Sequence, residues 1–199
     1  MKTLALVAVS SILLLAGQFG TEGAAAAQSS GSLDYLVGLL ADRIDTADTV
    51  AAAKWAVASR NGQEPVIDDP VREAAIYDAM AQLGAQRNLP ESWVREVFLG
   101  QIEASKLVQR GLVLQWRSGL TAAPTPTMDL AAVRPVIDRV DTAIIAELAA
   151  RRTELASADC AARLTSTVLA TAGARRADPL HEAALVRAST SLCAAPGLR

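Results

Sequence analysis

The sequence predicts an all-α fold, a single-domain bundle of about six helices. Three observations lead there. Hydrophobic residues make up 51% of the chain and aromatics 4%, the excess being Ala, Leu and Val, which suits closely packed helices better than sheets. Apolar positions recur at three- and four-residue steps over long segments, as one face of a helix requires. No stretch shows the two-residue alternation of a half-buried strand with any strength.

The first 27 residues are read separately. Met1-Lys2 is followed by an apolar run from Leu4 to Ala16 and by small residues ending in Ala24-Ala25-Ala26-Ala27. That pattern is a secretory signal peptide cut after Ala27, and the apolar run is too short to span a membrane. Leu15-Ala16-Gly17-Gln18 carries no Cys for a lipid anchor. The mature chain is therefore expected to be soluble, secreted or periplasmic, and free of the membrane. Residues 28–199 are expected to form one domain: core helices over 33–117, a linker over 118–128 and C-terminal helices over 129–195.

Within that domain, Ser32 is the candidate N-cap of a first helix. Leu36, Leu40, Ile44, Ala47, Ala51 and Trp55 carry this helix from Leu33 to about Ser59, where Arg60-Asn61-Gly62 stops it. Asp69-Pro70 opens a second, with the acid as cap and proline at the first helical position, running to about Asn88. Pro90 opens a third, whose apolar Val94, Val97, Phe98, Ile102, Leu107 and Leu112 repeat as far as Trp116. Ser118-Gly119 and Pro124-Thr125-Pro126 mark the linker. Val133, Ile137, Val140, Ile144 and Leu148 define a fourth long helix. Two shorter ones are expected near 159–173 and 178–194, the last announced by Asp178-Pro179. Cys160 and Cys193 are the two cysteines, most simply one disulfide in an oxidising compartment, stapling these last helices together. Closing that loop would stabilise the fold by roughly 3–4 kcal/mol.

Charge excludes one class of function. With 19 Lys+Arg against 21 Asp+Glu the net charge is −2, so no general basic field attracts nucleic acid, and any basic site must be local. Local candidates exist: Arg43, then Lys54, then Arg72 within Asp69-Pro70-Val71-Arg72-Glu73. Asp69 and Glu73 stand four residues apart, as do Ser105 and Gln109 on the third helix, so each pair can reach into one pocket. Singly, each has an ordinary explanation: a solvated charge, a cap, a wet helix edge. Together they suit a small dianion bearing a hydroxyl. No catalytic nucleophile with its base, metal cluster or phosphate loop competes; the lone histidine is His181.

The order and spacing Arg43…Lys54…Asp69-x-x-Arg72-Glu73…Ser105-x-x-x-Gln109 resemble the active-site signature of the all-helical AroQ-type chorismate mutases. Val50-Ala51-Ala52-Ala53-Lys54-Trp55, Asp68-Asp69-Pro70-Val71-Arg72-Glu73-Ala74-Ala75 and Gln101-Ile102-Glu103-Ala104-Ser105-Lys106 are similar to the secreted gamma subclass in particular. The export signal, the late cysteine pair and the extra C-terminal helices agree with it.

The resemblance implies a pericyclic rearrangement of chorismate to prephenate, with no cofactor, no metal and no covalent intermediate. It implies that Arg43, Arg72 and Arg134 hold the two carboxylates, assisted by Ser105. Lys54 and Gln109 would meet the ether oxygen as it gains negative charge, and Glu73 and Asp69 would take the hydroxyl. Val66 and Ile67 would form part of the apolar wall. In intracellular members one essential Arg comes from the partner subunit, whereas secreted members supply it from their own chain; the match here is Arg134. Pro135 departs from the pattern, because proline disfavours helical geometry at the residue before it. The fourth helix is therefore expected to begin at Pro135 rather than Asp129, with Arg139 as the alternative to Arg134. A homodimer is implied, although one chain holds the full set. Two other readings stand beside this one: a secreted helical binding module for a small dicarboxylate without catalysis, and a purely structural helical protein.

Overall fold

The structure is a computed structural model that describes residues 32–193; the expected signal peptide, residues 1–27, lies outside the described residues. Among the described residues there are seven helices and no strand: α1 Asp34–Arg60, α2 Pro70–Ala85, α3 Glu91–Arg117, α4 Leu130–Ala150, α5 Arg152–Leu155, α6 Cys160–Arg175 and α7 Pro179–Ser189. The all-α expectation holds, and α5 is a single turn added to the six elements anticipated. None of the helices is long and apolar enough to cross a membrane, among the described residues.

The two 27-residue helices α1 and α3 pack against each other, each about 40 Å long at 1.5 Å per residue. Helix α4 lies along α1, α2 lies on α3, and α7 covers another side of α3. Leu36, Leu40 and Ile44 of α1 meet Trp93 and Phe98 of α3 and Ile144 of α4 in the main core. Helix α7 comes close enough that a Cβ on Gly100 would sit 3.4 Å from the carbonyl oxygens of Arg187 and Ala188. The indole N–H of Trp93 donates to the Ser191 carbonyl at 2.9 Å just beyond that helix. The Cys160–Cys193 disulfide, with a Cα separation of 5.8 Å, ties the start of α6 to the turn after α7.

Helix ends show where local rules held and where they gave way. Asp69 caps α2 as expected: its Oδ1 accepts from the Arg72 N–H at 3.1 Å, while Glu73 Oε1 accepts from the Asp69 N–H at 3.2 Å. The helix ends at Ala85 and not near Asn88, because Asn88 takes a left-handed φ of 58° and Leu89 N–H turns back to the Gly84 carbonyl at 3.0 Å. Ser32 sits one position before the cap of α1, which is the buried Leu33; the serine Oγ accepts instead from the Asp34 N–H at 3.2 Å.

The expectation that the fourth helix begins at Pro135 is wrong. It begins at Leu130, with Asp129 as cap: Oδ1 accepts from the Ala132 N–H at 2.8 Å and the Asp129 carbonyl accepts from Val133 N–H at 3.1 Å. Pro135 then removes only the bond that would have reached the Ala131 carbonyl. Both residues are exposed, so water can serve that carbonyl, and the capped first turn outweighs the proline.

Candidate active site

A cavity of about 490 Å³ opens between α1, α2, α3, α4 and the loop that joins α1 to α2. Helical spacing aims the polar groups at it. Arg43, Val50 and Lys54 share one face of α1; Ile102, Ser105 and Gln109 share one face of α3; Arg72, Glu73 and Ile76 come from α2; Val133, Arg134 and Ile137 come from α4. Asp69 also lines the cavity, as do Val66 and Ile67, although Val66 is 74% exposed. Arg134 lines it and Arg139 does not. Arg139 apart, every substrate-contacting residue anticipated from the sequence thus lines one cavity, within one chain.

Arg43 is the deepest cation, 4% exposed. Its Nε donates to Asp141 Oδ1 at 2.6 Å and its Nη1 to the Gln101 carbonyl at 3.1 Å. Burial raises the pKa of Asp141, and the neighbouring Arg43 charge opposes that rise. Lys54 is half-buried and donates from Nζ to the Ile67 carbonyl at 2.9 Å, leaving two of its three protons for a ligand. Burial lowers its pKa, with Asp69, Asp68 and Glu73 pulling the other way. Arg72 lies 4.0 Å from Asp138 at the rim.

Lys106 is a cation that the sequence reading did not assign. It lines the cavity while its Nζ contacts Glu103 at 2.5 Å, Glu73 at 3.1 Å and Asp68 at 3.3 Å. Burial would lower its pKa, but hydrogen bonds to Glu103, Glu73 and Asp68 outweigh that and raise it, so the charge persists across the physiological range. Glu73 is consequently held from two sides, by Lys106 and by the Asp69 N–H. Oε1 accepts from both of these donors, while Oε2 accepts from Lys106 alone and keeps room for another donor.

Gln109 is 5% exposed, with Nε2 3.1 Å from Ser105 Oγ and its Oε1 buried without a partner among the described residues. Turning the amide over lets Oε1 accept from the Ser105 hydroxyl and frees both N–H groups of Nε2. The loop above is tied down by Lys54 at Ile67, by Arg110 at Asp68 (2.6 Å) and by an Arg117–Glu64 ion pair. The arrangement can hold a compact dianion between arginines and present a cation and an amide to one polar atom inside a shielded site.

Asp141 and Gln101, the partners of Arg43, also escaped the sequence reading. Asp141 carried a signal: it stands four residues after Ile137 and three before Ile144, where the apolar stripe of α4 calls for a hydrophobe.

Comparison with known proteins follows the same outline. The family model described as chorismate mutase type II matches residues 34–110. A protein named secreted chorismate mutase from Mycolicibacterium smegmatis is 35% identical over 85% of this chain and 90% of its own length. Another of that name from Mycobacterium tuberculosis is 28% identical over 86% of this chain and 83% of its own. Among solved structures, a chorismate mutase from Burkholderia phymatum superposes with a TM-score of 0.74 at 34% identity, covering 81% of this chain and 96% of that one. The chorismate mutase from Burkholderia thailandensis gives 0.73 at 29%, covering 81% and 98%.

Proposed function

The chain belongs to the chorismate mutase type II family and is an isomerase of that kind, and we propose that it is exported and rearranges chorismate to prephenate inside the four-helix cavity. The reaction breaks one C–O bond and forms one C–C bond in a single cyclic shift of electrons. It transfers no proton and forms no bond to the protein. The protein must select a compact conformer and stabilise negative charge as it grows on the ether oxygen.

In this reading Arg43, Arg72 and Arg134 grip the two carboxylates, for which the guanidinium fork is well shaped, and Ser105 assists at one of them. Lys54 Nζ and the Gln109 amide N–H meet the ether oxygen. Glu73, with Asp69, accepts from the substrate hydroxyl, and the ion pair with Lys106 holds Glu73 in place. Val66 and Ile67 supply apolar wall. The observation that carries the proposal is that Lys54 of α1 and Gln109 of α3 line one cavity together with the three arginines.

The test is a spectrophotometric assay of the mature, disulfide-intact protein for loss of chorismate and appearance of prephenate, with EDTA present and no cofactor added. Turnover is expected, and Lys54→Ala should lower kcat by about 10²–10³-fold, the usual cost of one preorganised charge-stabilising donor. A folded protein that binds chorismate without converting it would replace this reading with that of a dicarboxylate-binding module.

The finer assignments belong to the same proposal. Residues 1–27 act as a signal peptide cleaved after Ala27, the mature domain of residues 28–199 works in the periplasm or the medium without membrane attachment, and two copies associate as a homodimer. Export is supported by the relatives named as secreted, and the dimer by family resemblance. Mass measurement of the exported chain and sedimentation equilibrium test these assignments.

A further inference from the structure

We propose that Asp141, which does not touch the cavity, is a positioning residue that fixes the Arg43 guanidinium for its carboxylate. The inference rests on the reading of Arg43 as a substrate-binding group. Three helices meet at this one side chain: Arg43 from α1, Asp141 from α4 at 2.6 Å from Nε, and the Gln101 carbonyl of α3 at 3.1 Å from Nη1. Bonds from two directions set both the position and the plane of the guanidinium. They leave both Nη2 protons and one Nη1 proton without a partner among the described residues, and Arg43 is the member of the trio that lines the cavity.

The far side of the clamp is fixed as well. Gln101 is wholly buried, and its Nε2 donates to the Ala188 carbonyl of α7 at 3.0 Å, so the residue supplying the carbonyl cannot drift.

Stability does not account for this acid. The Arg43 and Asp141 side chains are 5% and 2% exposed, and an ion pair so deeply buried is commonly matched or surpassed in stability by well-packed apolar residues. Asp141 interrupts an otherwise apolar stripe, between Ile137 and Ile144. An acid at this place has a use if a buried arginine must hold one orientation toward an anion and needs its charge balanced while the cavity is empty.

The test is a double-mutant cycle in the mature, disulfide-intact protein, with Asp141→Asn and Arg43→Ala singly and together. Asparagine keeps the shape and an acceptor but removes the charge. If Asp141 acts through Arg43, Asp141→Asn should lower kcat/KM by about 100-fold in the parent, the scale of loss that follows a misplacement of about 1 Å. It should change kcat/KM by less than about twofold where Arg43 is already Ala, since the interaction is then gone. A second readout does not depend on turnover. The Arg43 Nε–H, assigned in a 15N–1H spectrum by its loss in Arg43→Lys, should exchange slowly with water in the parent and much faster in Asp141→Asn.

Equal losses in both backgrounds, or no loss in the parent background, would overturn the proposal. So would an Arg43 Nε–H in the folded parent that exchanges as fast as those of exposed arginines, a measurement that decides the matter even if Asp141→Asn fails to fold. If the parent shows no turnover, the proposed activity falls, and the same cycle is read on the Kd of chorismate by calorimetry. The two failures are thereby distinguishable.

Discussion

His181 makes the junction between α7 and α1 sensitive to alkali, and replacing it with glutamine removes that sensitivity. Its imidazole lies between two carboxylates, with Nε2 3.0 Å from Asp48 Oδ1 on α1 and Nδ1 2.8 Å from Oδ2 of Asp178, the cap of its own helix. Only the protonated ring can donate to both. The hydrogen bond to Asp48, aided by Asp178 and opposed by burial, raises the histidine pKa from 6.5 to about 9. Because the folded value lies above the unfolded one, the stabilisation is complete below pH 6.5 and is lost as pH climbs through about 9. A change of that size corresponds to at most about 3 kcal/mol. Asp48 and Asp178 are 53% and 59% exposed, so solvent screening reduces the useful part to about 1–2 kcal/mol. For a domain of this length that is a melting difference of about 2–8 °C. Thermal unfolding by circular dichroism at pH 6, 7.5, 9 and 10, for the parent and His181→Gln, reads it directly. The parent should melt higher at pH 6, and the gap should close by pH 10. The adjoining Arg175 pairs with Asp42 and Asp45 are common to both proteins and cancel in the difference. A gap that stays constant or widens toward pH 10 would refute the reasoning.

Two further outcomes are expected. Gln109→Glu places a carboxylate that can donate only when protonated, so its kcat should fall as pH rises, by about 10²–10³-fold relative to the parent, and recover toward acid; superimposable pH profiles would remove Gln109 from the ether oxygen. Replacing Cys160 and Cys193 together by Ser opens a loop of sequence separation 33 and should destabilise the fold by about 4 kcal/mol with little change in kcat, checked by denaturant titration beside the chorismate assay; an unchanged unfolding midpoint would count against it.

The bundle was legible because its helices carry their own signals. Apolar period defined α1, α3 and α4, and Asp-Pro pairs at 69–70 and 178–179 marked the starts of α2 and α7. The misjudged ends are places where two local rules compete. Proline's preference lost to the Asp129 cap at the start of α4, and helix propensity lost to the left-handed turn at Asn88 at the end of α2. For the site, local pattern showed which residues share a helix face but not that four helices converge. Convergence was anticipated only through the resemblance carried by the order and spacing from Arg43 to Gln109. Asp141 fell outside that signature, and its partner lies 98 residues away in sequence, a pairing that no helical period can express. Lys106 was quoted as part of the motif but gained a role only when Glu73, Asp68 and Glu103 were found around it.

The mixture of charges around the cavity bears on how a dianion finds it. Among the described residues that line it, Arg43, Lys54, Arg72, Lys106 and Arg134 stand against Glu64, Asp68, Asp69 and Glu73, and the whole chain carries a net charge of −2. From beyond a Debye length of about 8 Å at physiological salt, such a site is nearly neutral and offers no field to draw the ligand in. In the proposed reading, selection is then postponed until contact, when each arginine and the lysine would meet their own oxygen atoms at hydrogen-bond range. Other anions, phosphates and simple carboxylates among them, are not concentrated at the mouth. The capture rate of a dianion by such a site is expected to change little with ionic strength.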